Sequence, residues 1–193
     1  MSASTARLRS FGTLVCLFGA VLALSGCGKT NTPPTAENNG VYVTAGPITY
    51  QLQVSRQLNP YSTEDRQYVT GLPAAQAVLG PTQMWYGVFM WAKNQTTTPQ
   101  TSTNNFDIVD TEGTHYYPIA LNPSLNPYAW TATSLAPGAV QPGPDTTASF
   151  GPTQGELLLF KLPNSVYDDR PLTLEIRSPG ANRKLWAAIS LDL

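Results

Sequence analysis

The chain is 193 residues long and has only two cysteines, Cys16 and Cys27, both near the N-terminus. Nothing beyond Cys27 can form a disulfide, act as a thiolate nucleophile or build a cysteine-ligated metal centre, so the rest of the molecule must rely on a packed core. Histidine is scarcer still. His115 stands alone, which removes multi-histidine zinc and copper sites and leaves a hydrolytic triad a single candidate base. No GxSxG elbow is present to supply a nucleophile beside it. Charged residues make up 12% of the chain, roughly half the usual share. Net charge is -1, or -3 once Arg7 and Arg9 are removed and nine basic residues face twelve acidic ones. With so little positive charge, nucleic acid is not expected as a partner.

What the chain does have is Pro, Thr, Asn and Gln in abundance, a balance typical of loop-rich extracytoplasmic β proteins. At its N-terminus Arg7 and Arg9 precede an apolar stretch, Phe11–Leu24, that is too short to cross a bilayer as a helix. Leu24-Ser25-Gly26-Cys27 follows and reads as a lipobox. The segment resembles the signal of bacterial lipoproteins. That resemblance implies cleavage before Cys27, a diacylglycerol on its thiol, an N-acyl chain on its new amino group, and no other cofactor. We expect residues 1–26 to be the signal peptide, 27–40 a lipidated flexible tether, and 41–193 one domain. The protein would then sit at the outer face of the cell membrane, or of an outer membrane where the organism has one.

Within the domain, Met84–Asn94 is the longest apolar run and carries two tryptophans. Aromatic and β-branched residues between a Gly80-Pro81 turn and a Thr-rich loop predict a central β-strand. Both of its faces are apolar, with Tyr86, Val88, Met90 and Ala92 on one and Trp85, Phe89 and Trp91 on the other, so both must be covered. Alternation in Ile48–Ser55 predicts a half-solvated strand with Ile48, Tyr50, Leu52 and Val54 inside. Similar patterns at Leu158–Leu162, Leu172–Ile176 and Ala187–Leu193 add three more strands. Phe106–Val109 and His115–Ile119 flank Asp110-Thr111-Glu112-Gly113 as a hairpin, and Ser62-Thr63-Glu64-Asp65, with Tyr68 and Leu72 beyond, predicts a short helix or helical turn ended by Gly71 and Pro73. Leu-Asn-Pro-Tyr and Gly-Pro-Thr-Gln each occur twice, which reused turn chemistry explains more simply than a duplication. Seven to eight short strands separated by turns indicate an all-β, immunoglobulin-like antiparallel β-sandwich with long loops.

The lipobox, the polar tether, Asn94 before a Thr-rich loop, Phe106–Asp110 leading to Gly113 and Tyr116, and Gly155–Pro163 together resemble an uncharacterised immunoglobulin-like domain family of bacterial secreted lipoproteins. The resemblance covers roughly residues 48–193 and implies a sandwich and a lipid on Cys27. It transfers no catalytic residue.

Three constellations are candidates for chemistry. Asp168 and Asp169 before Arg170 read as a solvated turn with an ion pair. Asn104, Asn105, Asp107, Asp110 and Glu112 offer oxygen ligands for calcium, but strand alternation sets Asp107 and Asp110 on opposite faces, and no metal is expected. His115, without a partner in sequence, is expected to be a surface residue rather than a base. The sequence therefore points to a non-enzymatic binding or envelope-interaction module. Its membrane contact is the lipid, its partner an envelope protein or glycan, and its candidate binding patch Trp85, Phe89, Trp91, Leu157 and Leu159. The alternative is a carbohydrate-binding domain that stacks sugars on those aromatics. The long Ala120–Gln154 stretch needs a surface to lie on, and we expect it to fold over this patch with Tyr128 and Trp130.

Overall fold

A computed structural model of the protein describes residues 34–37 and 39–191. The expected signal peptide, Cys27, most of the expected tether and Leu193 lie outside the described residues. The strands are β1 (Thr35–Ala36), β2 (Tyr42–Ala45), β3 (Ile48–Leu58), β4 (Gln83–Asn94), β5 (Gln100–Thr101), β6 (Phe106–Val109), β7 (His115–Tyr116), β8 (Ser134–Leu135), β9 (Val140–Gln141), β10 (Glu156–Pro163), β11 (Thr173–Arg177) and β12 (Leu185–Ser190), with one short helix, α1 (Thr147–Phe150). One sheet runs β10-β4-β3-β2, with β9 also on β4, and the other runs β1-β12-β11-β6-β7. Counting strands of four or more residues, four face three, the strand number of an immunoglobulin constant-type domain.

The two sheets close over one apolar core. From β4 come Tyr86, Val88, Met90 and Ala92, from β10 Leu158, Phe160 and Leu162, and from the facing sheet Phe106, Ile108, Leu174, Ile176, Ala187 and Ile189, all buried. These are the alternate positions expected of strands with one face inward. The central strand is β4, as its composition predicts: it pairs with β3 along one edge and with β10 and β9 along the other.

Three expectations are corrected. Thr35 and Ala36, expected in the tether 27–40, belong to the fold, since they pair in parallel with Ala188 and Ile189 and Ala36 is buried. A strand was missed at Tyr42–Ala45, although the Gly46-Pro47 turn joining it to Ile48 is a legible hairpin signal. Finally, Val54 faces outward. Leu52 pairs with Met90 but Val54 pairs with Phe89, leaving Gln53 as a bulge. One extra residue reverses the alternation beyond it, so Ser55 takes the inward place opposite Val88.

Candidate functional site

The outer face of the four-strand sheet is divided at that bulge. On one side, Leu58, Trp85, Phe89, Leu157 and Leu159 form a second apolar cluster beneath two loops of the chain itself. The 59–79 loop contributes Tyr68, Val69, Leu72 and Leu79, and the 119–154 segment contributes Ile119, Leu121, Tyr128 and Ala148. Tyr68 is the keystone, meeting Phe89 edge-on at 4.9 Å and Tyr128 at 4.8 Å. The loops are also bonded to each other: Asn126 Nδ2 donates to the carbonyls of Tyr68 (3.0 Å) and Thr70 (3.1 Å), and the Tyr128 hydroxyl donates to Gln67 Oε1 (2.8 Å). At the base of the first loop, Arg56 clasps Asp65 at 2.6 and 3.0 Å, while the Asn59 amide donates to the same carboxylate at 2.8 Å. Burial alone would raise the pKa of Asp65, but the guanidinium and the amide outweigh it and hold the carboxyl below its usual range.

Four of the five residues of the expected binding patch, Trp85, Phe89, Leu157 and Leu159, are therefore buried core rather than binding surface. Their combined apolar area gives the chain reason enough to cover them. Tyr128 lies in the cover as expected. Trp130 does not: it caps the main core beside Tyr50 and Phe106 and donates from Nε1 to the Thr103 carbonyl at 2.9 Å. Tyr68 was not anticipated in the cover, although an apolar pair at positions 68 and 72 of a polar helical turn requires a packing partner.

On the other side of the bulge the same face is open. Tyr42, Gln51 and Trp91 stand side by side across β2, β3 and β4, and Thr44, Thr49, Lys93 and Val140 form the next row. Tyr42 is 64% exposed, and Trp91 is only partly buried. Between the rows lies a cavity of about 190 Å³. The Gln51 amide is held rigidly, donating from Nε2 to the Gly40 carbonyl and accepting from Gln53 Nε2, both at 2.6 Å. Trp91 Nε1 is screened from solvent and has no hydrogen-bond partner among the described residues. Trp91 is thus the single member of the expected patch at an accessible site.

The other constellations resolve differently. His115 is not without a partner, since its Nδ1 lies 2.6 Å from Oδ2 of buried Asp107. That carboxylate also receives Arg177 Nε at 2.8 Å and Arg183 at 3.4 Å, and Arg177 pairs with Glu175. A buried carboxylate needs such compensation, so this is an ion-pair cluster on the outer face of the second sheet. Donor atoms of Asp107, His115 and Glu175 come within 4.8 Å of one another, but a cation there would have to displace the Arg177 guanidinium. Among the described residues, the His115 ring hydrogen-bonds only to Asp107, so no hydroxyl is placed for activation.

The five calcium candidates do not converge. Asn104 receives the Ala132 amide, Asn105 donates to Ser178, and Asp110 closes the hairpin turn by accepting from the Glu112 and Thr114 amides. Burial would raise the Asp110 pKa, but these amides and the Tyr116 hydroxyl bring it below its usual range. Arg170 does not form the expected ion pair with Asp168 or Asp169; it lies over the Tyr167 ring and donates to that residue's carbonyl. Asn94, the first residue of a glycosylation-like triplet, is fully buried and bonded to Thr96, Thr98 and Leu135.

Neither a protein-family model nor a curated protein matches the chain. Among solved structures, the YjhA protein of Bacillus subtilis superposes with a TM-score of 0.49 at 9% identity, covering 82% of this chain and 99% of that one. An uncharacterised β-sandwich protein of Clostridium difficile 630 gives 0.43 at 10% identity, covering 86% and 98%. A candidate lipoprotein of B. subtilis strain 168, YcdA, gives 0.46 at 12% identity, covering 81% of this chain and 39% of that one.

Proposed function

We propose that the protein is a non-enzymatic binding module, held at the outer face of the membrane by acylated Cys27, that binds through the open half of its four-strand sheet around Trp91. One observation carries the proposal. The chain covers every large apolar group on this sheet face up to the bulge and leaves the aromatic row Tyr42-Gln51-Trp91 beyond it accessible. Amphipathic rings at the rim of a small cavity, with fixed polar groups between them, are the usual composition of a recognition surface. The non-enzymatic reading is supported by the engagement of His115 with a carboxylate already neutralised by Arg177. The lipobox and the lipoprotein-like architecture of the sequence support the anchor.

The binding reading is tested by sedimenting the chain from Gly28 onward, which lacks the proposed lipid, with envelope fragments from the producing cell. Wild type is expected to be retained. Trp91→Ala, with unchanged thermal unfolding because this side chain lies outside both apolar clusters, is expected to be released at least tenfold more readily. Equal retention of the two would overturn the assignment of the surface.

A further inference from the structure

The open half of the sheet is built for a linear ligand lying across the strands. Resting on the surface proposed above, the geometry points to a β-1,4-linked pyranose chain as its occupant, stacked on Tyr42 and Trp91 and hydrogen-bonded between them. The register places Tyr42 on β2 and Trp91 on β4 with Gln51 of β3 between, so the backbone positions that carry the two rings stand two inter-strand spacings apart, roughly 10 Å. An extended β-1,4-linked chain turns each ring over relative to the last and presents the same apolar face at every second sugar. That repeat matches the distance between the two platforms. An α-1,4-linked chain winds helically and offers no such flat repeat.

The groups between the platforms fit the same ligand. Gln51 keeps a rigid amide, Thr44 and Thr49 face each other with hydroxyls 3.4 Å apart, and Lys93 brings an ammonium donor to the cavity wall. Sugar hydroxyls and acetamide carbonyls answer all three. Lys93 is the single charged side chain of the cavity, which suits a neutral or weakly acidic chain. At about 190 Å³ the cavity would hold six or so waters at ~30 Å³ each, the bulk of one sugar ring. The open area spans three strands and two rows of side chains. At strand and row spacings of roughly 5 and 7 Å this is on the order of 200 Å², below the roughly 800 Å² per partner of a stable protein–protein interface, so a second protein is the poorer occupant.

Calorimetric titration of the mature chain with cellohexaose, N-acetylchitohexaose and maltohexaose tests the inference. At least one β-1,4 hexasaccharide is expected to bind, with its disaccharide about tenfold weaker because it cannot reach both rings, and maltohexaose is expected not to bind. Tyr42→Ala, exposed and outside both apolar clusters, is expected to weaken binding by up to tenfold while leaving thermal unfolding unchanged. Maltohexaose binding as tightly as the β-linked chains, or Tyr42→Ala binding like wild type, would overturn the cross-strand stacking. If no oligosaccharide binds while Trp91→Ala still abolishes envelope retention, the glycan is wrong and the surface stands. If Trp91→Ala leaves retention intact, the surface itself falls.

Discussion

At the scale of single residues, small polar side chains decide more than their number suggests. Asn59 and Asn126 each accept the amide two positions on, from Tyr61 at 3.0 Å and Tyr128 at 2.9 Å, and Asn122 does the same for Ser124. The repeated Leu-Asn-Pro-Tyr phrase is therefore one turn chemistry used in different surroundings. Tyr61 is 95% exposed while Tyr128 is 4% exposed. Glu156 shows the opposite balance of effects. Burial raises its pKa, and the amide of Gln141, donating to it at 2.6 Å, only partly offsets this. Because the folded value lies above the unfolded one, the ionised carboxylate weighs against folding at neutral pH, a penalty that fades as pH falls through the raised value. Glu156→Gln is expected to raise the melting temperature at neutral pH by a gap that narrows on acidification. A gap independent of pH in a series of thermal melts would contradict this account. The Asx turns could be read in the sequence as Asn-Pro dipeptides, whereas the Glu156–Gln141 contact, fifteen positions apart, depends on which strand edge β9 joins.

At the scale of elements, the alternation of β4, β10, β11 and β12 was legible because each strand meets the same core along its length. The bulge in β3 was not. No Gly or Pro marks Gln53, and only the pairing of Val54 with Phe89 reveals the change of face. Nor could the sequence tell which aromatic covers the outer face, since Tyr68, Tyr128 and Trp130 are of similar apolarity and their destinations depend on how two long loops meet. The cover is expected to be cooperative, as Tyr68 touches Phe89, Tyr128 and, through its hydroxyl, the Thr153 amide at 3.2 Å. Tyr68→Ala should cost about 3–5 kcal/mol, as for other buried aromatics, and should add binding of a hydrophobic dye below the unfolding transition. A loss under about 1 kcal/mol with no dye binding would mean that the two loops hold without it.

At the scale of the whole molecule, the sandwich presents two unlike exteriors: a carboxylate ringed by arginines on one sheet and a half-roofed aromatic face on the other. The cell surface is the proposed setting. Cys27→Ala is expected to abolish incorporation of labelled palmitate and to leave the protein either uncleaved or shed into the medium; continued labelling would refute the anchor. Of the proposed binding surface, Trp91 was legible as part of an apolar strand. Tyr42 was not, because its strand is only four residues long and takes its meaning from Gln51 beside it.

The docking of β1 also sets a leash. With Thr35 and Ala36 already built into the sheet, seven peptide units separate Pro34 from Cys27, and even a fully extended chain of that length reaches no more than about 25 Å. Under the proposed lipid anchor at Cys27, a domain on such a leash would sweep a thin layer immediately above the lipid rather than the depth of the envelope. Its proposed ligand would then be one that enters that layer, a long strand threading down towards the membrane rather than a molecule confined farther out.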